Sequence, residues 1–160
     1  ESDRGATVIH HYMQEEWIRR GLVAEDMIVA TDAMPCFDLE TKSVPNGAGT
    51  HARILGRYVR DEALIDLPAA VAKMAWYPAR RLERIAPHFA RKGRLGVGCD
   101  ADLVVFDAST IEDRAPYLEP YLEAIGVDHV VVAGTPVIRD GEFGEVRPGR
   151  RQLSSGPVDV

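Results

Sequence analysis

The chain has 160 residues, 19 Lys plus Arg against 25 Asp plus Glu, and a formal charge of -6 at pH 7, with a sequence pI near 5.4 and a mean hydropathy of -0.15. With 46% hydrophobic and 28% charged residues there is enough apolar material for a buried core, unlike a disordered chain, and the acidic balance argues against nucleic acid or a polybasic membrane surface as partner. A complete (β/α)8 barrel, at roughly 250 residues, does not fit in this length.

Ala6 to Met13 is a short apolar and β-branched run that reads as a strand, and Gln14 to Val23 has helical composition, with Gly21 expected to end or loosen the helix. Met27 to Ala30 is a second apolar run between Asp26 and Thr31-Asp32, the pattern of a strand covered on both faces. Strand, helix, strand at this spacing predicts a βαβ unit. Ala33 to Gly49 holds two prolines and two glycines without a period and reads as a long loop of the kind that carries function. From Thr50 to Glu62 the apolar positions Ile54, Leu55, Tyr58 and Val59 predict an amphipathic helix. Asp66-Leu67-Pro68 predicts an N-cap and first turn, with Val71 and Met74 on one face, and Pro78 opens a further short helix through Leu82.

After Arg91-Lys92 the chain turns to glycines and β-branched residues. Ala101 to Phe106, Val127 to Ala133 and Pro136 to Arg139 read as strands, with turn signals at Gly134-Thr135 and Asp140-Gly141. The tail from Arg147 to Val160 is rich in Pro, Gly and Ser and reads as extended or frayed. Cys36 and Cys99 follow no zinc spacing, which predicts reduced thiols and a cytoplasmic setting, with a single disulfide as the alternative. No run of 18 apolar residues and no signal-peptide profile is present. The first residue is not Met and a strand-like run follows at once, so the chain is expected to begin inside something longer.

Asp32 stands directly after the Met27–Ala30 run, where residues at the carboxyl ends of parallel strands face an active-site crevice. A carboxylate there can serve as a general base, a metal ligand or a cap of the next turn. His10 and His11 are adjacent on a predicted strand and point to opposite faces, so they cannot both ligate one metal from the same face. His51 begins a predicted helix beside the glycine-rich end of the loop, where it can touch a substrate or stay exposed, and His88 and His129 read as structural or solvated. No histidine trio has the spacing of a catalytic zinc site. Asn46-Gly47-Ala48-Gly49 is a weak phosphate-loop signal against a flexible loop end. Arg80, Arg81 and Arg84, interrupted by Glu83, read as a solvated helix face, and Ser154-Ser155 has no neighbouring base.

Four stretches together resemble the C-terminal part of the amidohydrolase superfamily, most closely its D-aminoacylase (N-acyl-D-amino-acid deacylase) branch. They are Ile28 through Pro35; Gly49 through Tyr58; Lys73-Met74 with Pro78 through Leu82; and Arg91 through Leu95 with Gly98 through Asp107, followed by Val132 through Val137 and Asp140-Gly141. The glycine-rich block with Ala101-Asp102-Leu103-Val104-Val105-Phe106 marks only the superfamily, whereas the segments around Asp32 and from Gly49 onward narrow it to this branch.

The resemblance implies an α/β fold: the last strands and helices of a (β/α)8 TIM barrel over residues 1–90, strands of a small β-sandwich over 91–150 and a tail over 151–160. By position Ala6 to Met13 would be barrel strand 7 and Met27 to Ala30 strand 8, which makes Asp32 the branch's catalytic aspartate. It would take a proton from a zinc-bound water and hand it to the leaving amine, and in relatives with two metals it would also be a metal ligand. Many members have His-Pro-Arg in the following loop, the arginine holding the substrate carboxylate; here the matching place reads Val44-Pro45-Asn46. Asn46 and His51 are therefore the expected substrate-binding residues.

The main zinc ligands are expected upstream of this chain, so zinc belongs to the complete enzyme and the 160-residue chain alone is expected to hold none and to be inactive. The implied activity is hydrolysis of an N-acyl amino acid by a metal-dependent amidohydrolase. The alternatives are a cyclic-amide hydrolase of the dihydroorotase or hydantoinase kind, and a non-catalytic assembly module whose open edges pair with another copy or with the N-terminal part.

Overall fold

The structure is a computed structural model, and it describes residues 12–33, 43–150 and 152. Most of the predicted first strand, His10, His11, Cys36, the Met34-Pro35 step after Asp32 and Ser154-Ser155 lie outside the described residues.

α1 spans Glu15–Val23, opens with two glutamates in its first turn and ends with Arg20 in its last, charges that match the helix dipole. Gly21 does not break it: the helix continues two residues further, and the Gly21 carbonyl accepts from the Ala24 N–H at 3.2 Å. Lys73 is buried at 5% exposure, and its ammonium donates to the Ala24 carbonyl, placing a cation at the helix's C-terminal end.

Met27–Ala30 corrects an expectation. It has no regular secondary structure and joins no ladder among the described residues; the Val29 N–H donates instead to the Lys73 carbonyl at 3.0 Å. Met27 and Ile28 remain 44% and 41% exposed. A parallel strand draws its ladder from neighbours on either side, and the described residues place none beside this one. The predicted βαβ unit is thus not formed among them.

α2 spans Asn46–Arg53 and runs without interruption into a π-helical stretch, Ile54–Asp61. The helix therefore begins four residues before the predicted Thr50, and Asn46-Gly47-Ala48-Gly49 is its first turn rather than a loop. Thr50 helps by donating from Oγ1 to the Asn46 carbonyl at 2.7 Å. Ala52, Ile54, Leu55 and Tyr58 form its buried face, as the apolar spacing predicts.

α3 spans Leu67–Val71 and has the predicted cap: the Asp66 carboxylate accepts from the Ala69 N–H at 2.7 Å. The separate helix expected at Pro78 is instead a continuation, since α3 passes through a π-helical turn at Ala72–Trp76 into α4, Tyr77–Leu82. Pro78 lacks an N–H and its ring crowds the carbonyl four residues back, so a widened turn before it lets the helix continue. Met74 packs on the core as predicted, while Val71 is 42% exposed. A 3-10 turn, Pro87–Arg91, ends the helical part.

Four strands follow in antiparallel order: β1 Leu103–Phe106, β2 Val127–Val132, β3 Thr135–Arg139 and β4 Glu142–Phe143. Both hairpins turn on paired positive φ angles, Ala133 (49°) with Gly134 (79°) and Asp140 (53°) with Gly141 (79°), the type I′ signature. The first turn sits one residue earlier than Gly134-Thr135. The β2–β3 register shifts where Pro136 faces Val131, since proline cannot donate to the ladder. Lys92 ties the glycine-rich approach to the sheet, pairing with Asp100 at 3.0 Å and Asp102 at 2.6 Å, while Asp102 also accepts from the Ala133 N–H at 2.8 Å.

Helices and sheet share one core. Ile111, 1% exposed, clusters with Leu22, Ile54, Leu55, Tyr58 and Ala70, and Phe106 and Val127 pack against the same group. The strap that carries Ile111 is fastened along the π-helical stretch by Arg60, whose guanidinium donates to the Ile111 carbonyl at 2.6 Å, and by Arg53, which meets the Asp113 carboxylate at 2.8 Å. Gly56 makes this approach possible, because a Cβ there would lie 2.5 Å from the Ile111 carbonyl oxygen.

Candidate active site around Asp32

Asp32 follows the Met27–Thr31 segment and is exposed, with a backbone φ of 49°. The left-handed region is uncommon for a residue with a side chain, and aspartate is among the few that tolerate it. The Asp32 carbonyl accepts a hydrogen bond from the Asn46 side-chain amide at 3.3 Å, across 14 residues of sequence. The two sequence-predicted residues are therefore brought together, but through a backbone oxygen rather than through the carboxylate.

Asn46 is the first residue of α2, and the helix leaves it little freedom. Pro45 precedes it as the N-cap, and the Gly49 N–H donates back to the Pro45 carbonyl at 2.9 Å. Gly47 lets the first turn press on the residue after Asp32: a Cβ at 47 would sit 3.1 Å from the Ala33 Cβ. One turn on, Gly49 faces the Asp113 carboxylate so closely that a Cβ would come within 2.3 Å of its Oδ1. Asn46 Oδ1 is buried and has no hydrogen-bond partner among the described residues.

Ala33, Ser43, Val44, Asn46, Gly47 and Ala48 enclose a cavity of about 280 Å³ together with Pro120 and Tyr121. Ala33, the residue after Asp32, is on its wall, and Asp32 itself is not. Pro120 and Tyr121 come from the strap between β1 and β2, and sequence reasoning missed them. That stretch has no helical or strand period, and its aromatic residues, Tyr117 and Tyr121, are the one signal it offers. A larger hollow of about 950 Å³, bordered by Val23, Ile28, Lys73, Tyr77, Arg80 and Arg84, includes neither Asp32 nor Asn46 and also carries Glu25 and Asp26. Arg81 lines it as well, so four cationic side chains face two carboxylates across an open hollow. Its Arg80 lies over the Trp76 ring at 5.4 Å, with Arg94 at 4.3 Å, so that arginine is a packed side chain as well as a solvated one.

His51 lies in the second turn of α2 rather than at its start, one turn beyond cavity-lining Gly47. Its surface is exposed, but crowding on its protein side draws the imidazole pKa below its ordinary value of 6.5. Among the described residues no hydrogen bond joins it to Asp32 or Asn46. His129 caps a hairpin, its Nδ1 accepting from the Asp140 N–H at 3.2 Å, and His88 stacks on Phe89. Cys99 is a free thiol. Among the described residues, no three His, Cys, Asp or Glu side chains converge as a metal site, and no helix is long and apolar enough to cross a membrane. The arrangement offers an exposed carboxylate at Asp32, one residue before Ala33, which lines the small cavity.

The amidohydrolase family profile matches residues 25–138. N-acyl-D-glutamate deacylase of Alcaligenes xylosoxydans xylosoxydans is 41% identical over 145 residues, covering 91% of this chain and 28% of the relative. D-aminoacylase of the same organism is 34% identical over the same coverage. Among solved structures, a crystal structure of D-aminoacylase superposes with a TM-score of 0.74 at 34% identity, over 84% of this chain and 27% of that one. N-acyl-D-glutamate deacylase of Bordetella bronchiseptica, solved with zinc and a phosphonate mimic of the tetrahedral intermediate, gives 0.56 at 41% identity over 66% of this chain and 22% of that one. The chain spans about 28% of the length of the curated relatives it matches. Its α/β fold is that of the matching portion of D-aminoacylase, and the chain belongs to the amidohydrolase family.

Proposed function

We propose that this chain is the C-terminal portion of a metal-dependent deacylase that hydrolyses the amide of an N-acyl-D-amino acid. The single observation that carries the reading is Asp32, exposed after the Met27–Thr31 segment, followed at once by cavity-lining Ala33 and held through its carbonyl by the Asn46 amide of α2. In this reading residues 1–90 belong to the last part of a (β/α)8 barrel, with Met27–Ala30 its closing strand, and residues 91–150 to a β-sandwich. The exposed Met27 and Ile28 support that assignment, since a barrel strand needs neighbours on both sides.

The relatives with solved structures bind metal: a binuclear centre in D-aminoacylase and zinc in the N-acyl-D-glutamate deacylase. The described residues of this chain do not suit such a centre by themselves, since Asp32 has no companion ligands among them. Zinc and its main ligands are therefore assigned to the complete protein, and the steps given to this chain do not pass through the metal. Asp32 accepts a proton from the attacking water as the C–O bond forms. It returns that proton to the amide nitrogen as the C–N bond breaks, releasing the acid and the amine. His51, on the α2 face one turn beyond the cavity, is assigned to substrate contact. Asn46 stands where many relatives of this branch carry arginine, so the site offers an uncharged amide in place of a guanidinium fork.

The test is a substrate panel on the full-length, zinc-loaded protein: N-acyl-D-amino acids, their L-enantiomers and cyclic amides. Turnover of the acyclic D-compounds above the other two classes is the expected result. A preference for dihydroorotate-like or hydantoin rings would replace this reading with the cyclic-amide one, and no hydrolysis of any class would favour an assembly module.

A further inference from the structure

Asn46 does more than border the site. Its side-chain nitrogen lies 3.3 Å from the Asp32 carbonyl oxygen, which can only accept, so the amide orientation is fixed with Nδ2 toward Asp32. Oδ1 is then buried and has no partner among the described residues. Leaving a buried acceptor unpaired is unfavourable and rare, and it persists where another contact over-determines it. Here that contact meets Asp32 at its left-handed φ of 49°, a backbone state that also needs support from its surroundings. The donor is itself anchored: Gly47 closes on Ala33, and Gly49 closes on Asp113, whose carboxylate pairs with Arg53.

We infer that Asn46 is the positioning residue for Asp32, its amide holding the left-handed turn from which the carboxylate projects. The inference rests on the deacylase reading above. It assigns Asn46 to orientation of the proton carrier and not to capture of a substrate carboxylate, the role of the arginine in many relatives of the branch. Because α2 supplies the donor, the direction of Asp32 is coupled to the packing of the helix on the Ile111 strap.

The experiment is a double-mutant cycle in the full-length protein with Asn46→Ala, Asn46→Asp and Asp32→Asn, reading kcat, KM and the pH profile of kcat/KM. Positioning predicts that Asn46→Ala lowers kcat about tenfold or more, as for a displaced catalytic group, with KM within about twofold and the acidic limb of the profile displaced. Asn46→Asp, isosteric but without the donor, should behave alike, and Asn46→Ala should have no further effect in the Asp32→Asn background. A rise in KM at unchanged kcat, or full additivity with Asp32→Asn, overturns the inference. Full activity of Asp32→Asn alone would overturn the deacylase reading instead. Independently of activity, crystal structures of wild type and Asn46→Ala should show Asp32 at positive φ only in the former; the same φ in both also overturns it.

Discussion

A single carboxylate works as a proton carrier only if its direction is reproducible, and at Asp32 the backbone rather than the side chain is what the surrounding residues hold. The Asn46 amide, the Gly47–Ala33 approach and the positive φ all act on the main chain at this point. His51 is influenced differently, through solvent. Crowding lowers its pKa from 6.5, so the unfolded chain binds that proton more readily than the folded one. The sign follows: stability is highest above pH 6.5 and falls as the pH drops from there toward the lower folded-state pKa. Urea midpoints measured between pH 8 and pH 5.5 should therefore decline less steeply in His51→Gln than in wild type; parallel curves would remove His51 from that dependence.

At the scale of elements, α2 with its π-helical continuation is the spine that joins site and sheet. Its small residues face close neighbours, Gly49 against Asp113 and Gly56 against the Ile111 carbonyl, and its arginines 53 and 60 fasten the same strap. Gly56→Ala should drive a methyl into that carbonyl, at a cost of about 1–3 kcal/mol, read as a lower urea midpoint; an unchanged midpoint would mean that the strap moves aside freely. Much of this element was legible in sequence, because Ile54, Leu55 and Tyr58 repeat at helical spacing and Asp66-Leu67-Pro68 announces the next cap. The start of α2 was not legible, since Asn46-Gly47-Ala48-Gly49 has the composition of a loop and is made helical by close tertiary contacts that permit only glycine. Nor was the passage of the chain through Pro78, which depends on a π-helical turn that no local propensity signals. The second and third strands of the sheet and both its hairpin turns were placed to within a residue because Gly134 and Gly141 fix the turn chemistry, whereas the first strand begins two residues later than predicted and the short fourth was not anticipated.

At the scale of the whole molecule, the described residues form one core but leave Tyr12, Met13, Trp17, Val23, Met27 and Ile28 between 41% and 70% exposed. Apolar exposure is not confined to this part, since Ile85, Leu95, Val97 and Leu118 are also exposed, but Trp17 and Val23 on α1 and Met27 and Ile28 on the segment that ends at Asp32 are among the open positions. The deacylase reading assigns those elements to a barrel wall, and the N-acyl-D-glutamate deacylase relative is more than three times as long as the stretch it shares with this chain. Pro120 and Tyr121 depend on tertiary packing too: a strap between two sheet strands borders the cavity lined by Ala33 and the start of α2, a contact that no local pattern encodes. The central claim is that Asp32 carries the proton in amide hydrolysis. Its most direct test is the kcat of the full-length, zinc-loaded protein and of its Asp32→Asn variant on an N-acyl-D-amino acid. A loss of about 10²- to 10⁴-fold with folding intact is the predicted result, and an equally active variant would contradict it.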